Sequence, residues 1–305
     1  MSAHVGRIAA DGAPDGHDHV AGAPREQVVE QQDAVTSSPF IHPPRPIFGT
    51  PPPGPAAAEP GPDDPGSAEP SPAPLEGKLA VVTGATGLLG ATVAAELVAR
   101  GARVCLLGRS IDELRETARR CGDATAVLRC DLAISDDVAE AADFVERIGA
   151  PVDVLVHAAG VRSSATVRTG TLESLDEHYL LNVRGPYLLT QRLLGSLGQA
   201  RGQVVFFASS SRPDLVLDLH GGDAHHAIST AALVAFADEL RAEAAPAGVR
   251  VLTVDAEVDL GPDEQGDEVL AALAAQVIDA LGSPRLDVTG FSVRSTANPS
   301  RTVRQ

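Results

Sequence analysis

The chain has 305 residues, 41 acidic against 24 basic side chains, a net charge of −17 and three cysteines. The absence of any basic stripe argues against a nucleic-acid or anionic-membrane partner. No run approaches the roughly 18 apolar residues of a membrane span, and Met1–Val20 lacks the apolar stretch of a secretory signal, so a soluble, cytoplasmic protein is expected.

Residues 1–77 hold 16 of the 23 prolines, 3 basic and 11 acidic side chains, and no apolar period of 2 or 3.6. Such a segment cannot bury enough surface to offset its ordering entropy, so it is expected to be a disordered acidic tail, polyproline-like around Pro43–Pro55. A protein partner for this tail is one reading of that composition. Beyond Gly77, apolar runs alternate with amphipathic ones, the pattern of an α/β fold with a doubly wound parallel sheet of about seven strands. The folded domain is placed at 78–292, with a flexible tail over 293–305.

In chain order, strands are expected at Leu79–Thr83, Arg103–Leu107, Thr125–Arg129, Asp153–His157, Gln203–Ala208, Val249–Val254 and Leu286–Val288. The first helix is expected at Ala91–Arg100. A second starts at Ser110 with Glu113 three residues on, and a fourth near Ser174 with Glu177, both matching a capping box. Pro186 falls inside that long fourth helix and is expected to bend or break it, because it removes one N–H. Asp255–Glu268 reads as an acidic loop, Asp267–Leu281 as the last helix, and the chain after Phe291 as frayed. Cys105, Cys121 and Cys130 read as reduced thiols in or near the core.

The stretch from Thr83 through Gly84, Ala85, Thr86, Gly87, Leu88 and Leu89 to Gly90 lies between the first strand and first helix. Glycines there allow a tight turn, close approach of backbone N–H groups to a pyrophosphate, and close packing of helix on strand. Together with Gly108-Arg109, Cys130-Asp131-Leu132, His157-Ala158-Ala159-Gly160, Asn182-Val183-Arg184-Gly185, Ser209 and Thr289-Gly290, it resembles the short-chain dehydrogenase/reductase family. The resemblance covers about residues 78–292 and is a mixture. The glycine spacing and the His157–Gly160 segment resemble extended and ketoreductase branches, whereas Asn182 matches the free-standing short form.

The resemblance implies a Rossmann-type fold and a dinucleotide held by Thr83, Gly84, Thr86, Gly87, Leu88, Gly90, Arg109, Asp131, Leu132, Ala158, Ala159, Gly160 and Thr230. In the family an acid closing the second strand takes the ribose hydroxyls of NAD. Gly108 stands there, followed by Arg109, whose guanidinium suits a 2′-phosphate, so NADP(H) is the expected cofactor. Asp131 is expected near the adenine, with a turn or cap role as the alternative.

The family's Tyr–Lys pair is missing. The segment from His226 to Leu233 resembles the start of the family's catalytic helix, placing His226 at the tyrosine position and Thr230 at the lysine position. The single lysine, Lys78, precedes the first strand, and the two tyrosines, Tyr179 and Tyr187, both lie in the fourth helix. Ser209 aligns with the family's serine, and Asn182 with its asparagine. An imidazole of unperturbed pKa about 6.5 can serve as a general acid without a lysine beside it; alternatively His226 simply begins a helix.

Three readings stay open. One is an NADP-linked oxidoreductase with an altered site, acting on a small carbonyl or secondary alcohol through Ser209, His226 and Asn182. The second is a catalytically silent dinucleotide-binding or interaction module, a pseudoenzyme. The third is a lyase, cyclase or epimerase that uses the same pocket without net redox, which the sequence does not separate from the first. A homodimer or homotetramer is implied by the resemblance alone. His220, His225 and His226 with Asp218 and Asp223 match no zinc spacing, so no metal is expected.

Overall fold

In a computed structural model of the chain, residues 75–122, 124–163, 165–208, 224–257, 264–282 and 290–294 are described. Seven strands, β1 (Leu79–Thr83), β2 (Arg103–Gly108), β3 (Thr125–Arg129), β4 (Val154–His157), β5 (Gln203–Phe207), β6 (Arg250–Glu257) and β7 (Gly290–Arg294), form one sheet. The order is β3-β2-β1-β4-β5-β6-β7, with every neighbouring pair parallel. Parallel strands need crossovers, and helices α1 (Leu88–Ala99), α2 (Ile111–Cys121), α3 (Ser135–Arg147), α4 (Leu172–Tyr179), α5 (Gly185–Ala200), α6 (Ala224–Ala244) and α7 (Glu264–Gly282) lie between them in sequence. The acidic tail expected over 1–77 lies almost wholly outside the described residues.

Every position of β1 is buried, because both faces of the sheet are covered. The period of 2 divides the strand between two cores. Leu79 and Val81 join Leu155, Leu189 and Phe206 on one face, while Ala80 and Val82 join Val93, Leu97 and Leu273 on the other. Each fully buried Leu or Val adds about 1.5–3 kcal/mol relative to exposure. At the amino end of β1, the carboxylate of Asp153 accepts the Leu79 N–H at 2.9 Å and pairs with the Lys78 ammonium at 2.8 Å. The chain's single lysine is thus committed to the end of β1 opposite the glycine turn.

Several expected boundaries are corrected by packing. The first helix begins at Leu88, not Ala91, because Gly87 is already its extended N-cap. Ser110 caps α2 as expected, its hydroxyl accepting the Glu113 N–H at 3.4 Å. The cap of α4, however, is Thr171, whose Oγ1 accepts the Ser174 N–H at 3.2 Å. Ser174 sits inside that helix, its hydroxyl 3.1 Å from His225 Nδ1.

The break expected at Pro186 takes a definite form. A π-helical turn, Leu180–Arg184, joins α4 to α5, and Pro186 falls in the first turn of α5, directly after that turn. Downstream, the acidic loop expected from Asp255 is a strand through Glu257. Pairing of Thr253–Glu257 with Gly290–Arg294 satisfies that backbone and overrides the poor strand propensity of acidic residues. The last strand therefore lies at 290–294; the expected Leu286–Val288 falls outside the described residues. The chain after Phe291, expected to fray, remains paired through Arg294.

Candidate functional site

From β1 the chain moves to β2 and β3 on one side, then returns to β4 on the other. The carboxyl ends of β1 and β4 therefore border the crevice where doubly wound sheets take their ligands. A cleft of ≈ 190 Å³ opens there. Of the residues expected to hold a dinucleotide, Thr83, Gly84, Thr86, Gly87, Arg109, Leu132, Ala158, Ala159 and Gly160 line it.

The glycine turn is shaped by close approach. Gly84 has φ +65°, and a Cβ there would lie 2.6 Å from the Ala159 backbone. Only glycine satisfies both the backbone conformation and the contact. A Cβ on Gly90 would collide with the Gly84 carbonyl, so Gly90 lets α1 seat on the turn without itself lining the cleft. The first turn of α1 contains no acidic residue, and its cap offers no side-chain hydrogen bond. Its N-terminal N–H groups and positive dipole end consequently suit an anion at the cleft. Thr83 ties the two strand ends, its hydroxyl donating to Val156 C=O and accepting the Ala159 N–H, both at 3.4 Å.

Gly108 closes β2 and Arg109 is exposed at the cleft wall. Asp131 instead forms a local turn: its Oδ1 accepts the Ala133 N–H at 3.0 Å, while its own N–H donates to Asp137 Oδ2 at 2.9 Å. Leu88 is the half-exposed first residue of α1. Cys130 also lines the cleft, and burial pushes its thiol up to about 12, as it does for Cys105. These are inert core sulfurs. Cys121, at the end of α2, is partly exposed.

The inner end of the cleft leads to His226 through Val161. Val161 lines the cleft, and its carbonyl accepts hydrogen bonds from His226 Nδ1 at 3.3 Å and from Asn182 Nδ2 at 3.1 Å. Its N–H donates to Asn182 Oδ1 at 2.9 Å. Asn182 is 5 % exposed and sits in the π-helical turn, which directs it to Val161 and to Ser229 Oγ, 3.0 Å from Nδ2. Thr230 Oγ1 lies 3.5 Å from His226 Nε2 and is buried beneath it, not on the cleft wall. Ser209 lies outside the described residues. Neither tyrosine joins this set: Tyr179 and Tyr187 are half-exposed, and the Tyr187 ring packs on Phe236.

His225 turns away from its neighbour. Its Nδ1 meets Ser174 Oγ, and its ring stands edge-on to buried His178 at 5.6 Å. His220, Asp218 and Asp223 lie outside the described residues. Val161 and Ser229 carry no local sequence signal that marks them for this site. Their contacts to Asn182 span 21 and 47 residues, and no local pattern marks such distant pairs.

The model of the short chain dehydrogenase family matches residues 78–258, and the chain belongs to that family. Among curated relatives, the D-threitol dehydrogenase of Mycolicibacterium smegmatis is 30% identical over 189 residues, covering 61% of this chain and 72% of that enzyme. The momilactone A synthase of Oryza sativa subsp. japonica is 32% identical over 219 residues, covering 67% and 77% respectively. Among solved structures, a metagenomic short-chain oxidoreductase in complex with NADP superposes with a TM-score of 0.63 at 27% identity, covering 73% of this chain and 99% of that one. Among the described residues, no helix is long and apolar enough to cross a membrane.

Proposed function

We propose that this chain is an NADP(H)-dependent oxidoreductase with an altered acid/base, acting on a small carbonyl compound or secondary alcohol. The cleft fits the dinucleotide: Gly84 and Gly87 leave its floor without side chains, α1 starts at cleft-lining Gly87 with no acidic residue in its first turn, and Arg109 supplies a cation where Gly108 replaces an acid. The NADP-bound relative supports the same choice. When bound, the cofactor supplies or accepts a hydride at the substrate carbon.

The observation that carries the catalytic reading is the hydrogen bond from His226 Nδ1 to the carbonyl of cleft-lining Val161. A carbonyl can only accept, so Nδ1 carries the proton, and Nε2, which lies 3.5 Å from Thr230 Oγ1, is the nitrogen assigned to proton exchange. In reduction the doubly protonated imidazolium gives its Nε2 proton to the carbonyl oxygen as negative charge develops there, leaving the neutral Nδ1–H tautomer; in oxidation the Nε2 lone pair of that tautomer takes the alcohol proton. Ser209 is assigned to orient that oxygen, Asn182 to hold the histidine's surroundings, and Thr230 to contribute a hydroxyl in place of the absent lysine.

The test is NADPH consumption over a panel of small ketones and aldehydes. General acid–base help is worth about 10²–10⁴ in rate, so His226→Ala should lower kcat by at least about a hundredfold. Turnover unaffected by that change would remove His226 from the mechanism. NADPH binding with no turnover on any carbonyl would make the chain a dinucleotide-binding module without redox chemistry.

A further inference from the structure

Ser229 is 1 % exposed, one turn into α6 from His226, and has a single hydroxyl proton to place. Its Oγ donates that proton to the His226 carbonyl at 3.0 Å. Only lone pairs then remain toward Asn182, whose Nδ2 donates to Ser229 Oγ at 3.0 Å. The amide is therefore oriented with its NH₂ side toward Ser229. Its second Nδ2 proton goes to the Val161 carbonyl and its Oδ1 receives the Val161 N–H. The same carbonyl holds His226 Nδ1. Besides the Thr230 hydroxyl at its Nε2, His226 is held by its backbone through Ser229 and by its ring through Val161, and these two grips converge on one amide.

We infer that Ser229 is a positioning residue that, with Asn182, fixes His226 in the Nδ1–H tautomer and keeps Nε2 as the working nitrogen. The inference rests on the reading of His226 as the acid/base. Ser229 touches neither the cleft wall nor the ring, so its effect passes through the first turn of α6 and the Asn182 amide. Loss of the hydroxyl leaves an Nδ2 proton of Asn182 buried without an acceptor, and the amide turns to recover one. That motion releases Val161 and lets the imidazole exchange tautomers.

The experiment uses the full chain labelled with ¹⁵N in histidine, the His226 ring resonances being assigned by their loss in His226→Gln. The wild type is expected to show one tautomer, protonated at Nδ1; Ser229→Ala should show both. In the NADPH-consumption assay Ser229→Ala should lower kcat about tenfold with the KM for NADPH unchanged, and Ser229→Thr, which keeps the hydroxyl, should restore both readouts. A Ser229→Ala protein that keeps the single Nδ1–H tautomer overturns the inference, as does a fall in activity that Ser229→Thr repeats. Should the wild type turn over no carbonyl substrate, the proposed function fails while the tautomer measurement still decides the role of Ser229.

Discussion

The side-chain amide of Asn182 pairs with both backbone groups of Val161, accepting its N–H at 2.9 Å and donating to its C=O at 3.1 Å. One side chain in a π-helical turn thereby fixes the loop that follows β4, between the cleft and the first turn of α6. Asn182→Ala leaves the part-buried Val161 N–H without its partner, while the Val161 carbonyl keeps only His226 Nδ1. We expect a loss of about 1–3 kcal/mol in urea unfolding from the unsatisfied N–H, together with a lower kcat.

Arg109 is the one cation placed at the cleft wall among its described lining residues. A charge-assisted hydrogen bond to a phosphate is worth about 1.5–3 kcal/mol, so Arg109→Ala should weaken NADPH binding by roughly ten- to a hundredfold. NADH, lacking the 2′-phosphate, should bind the two proteins alike. Calorimetric titration with each cofactor checks both halves of this expectation.

Gly84→Ala introduces a Cβ at positive φ and against the Ala159 backbone. Neither neighbour is a flexible side-chain end that could yield, so the turn must shift. A destabilisation of about 1–3 kcal/mol is expected from the strained backbone alone, accompanied by loss of cofactor affinity. Gly77→Ala, also at positive φ but with open space around it, should cost less and leave cofactor binding intact.

His157 is buried, stacked on Phe206 with ring centroids 4.9 Å apart, and bonded through Nε2 to Thr190 Oγ1 at 2.8 Å. Burial lowers its pKa to about 3. Between pH 6.5 and 3 the unfolded chain therefore binds a proton at this site that the native one does not, and native stability falls as pH falls through that window. At pH 5 the loss from this residue is about 2 kcal/mol relative to pH 7. Comparing urea unfolding of wild type and His157→Leu at both pH values isolates the effect, because the variant should lack this part of the decline.

Thiol labelling offers a direct check of the core. Burial holds Cys105 and Cys130 at about 12, while Cys121 is only partly covered. Iodoacetamide on the native protein should modify Cys121 first, and peptide mapping should find the other two unmodified until denaturant is added.

Much of the scaffold could be read from the chain because its signals are local. The β-branched run at Leu79–Thr83, the glycine spacing and the Ser110 cap each depend on neighbours within a few residues. The same holds for the cleft's glycine floor. What escaped reading depended on distant partners. Asp255–Glu257 form a strand because β7 supplies their hydrogen bonds, and the Ser174 hydroxyl meets His225, 51 residues on, while Thr171 caps the helix. Asn182 and His226 were identified singly, but their joint hold on Val161 required the fold. Asp131 shows the converse, since it spends its side chain on a near neighbour away from the cleft.

The late strand β7 has a consequence for the life of the protein. It covers the outer edge of β6 along five residues. Proteolytic trimming that removed it would leave a row of unpaired N–H and C=O groups on a strand whose other positions include Val251, Leu252 and Val254. An open edge of that kind templates pairing with another chain. Loss of β7 would therefore move the open edge of the sheet from a five-residue strand to the longer β6.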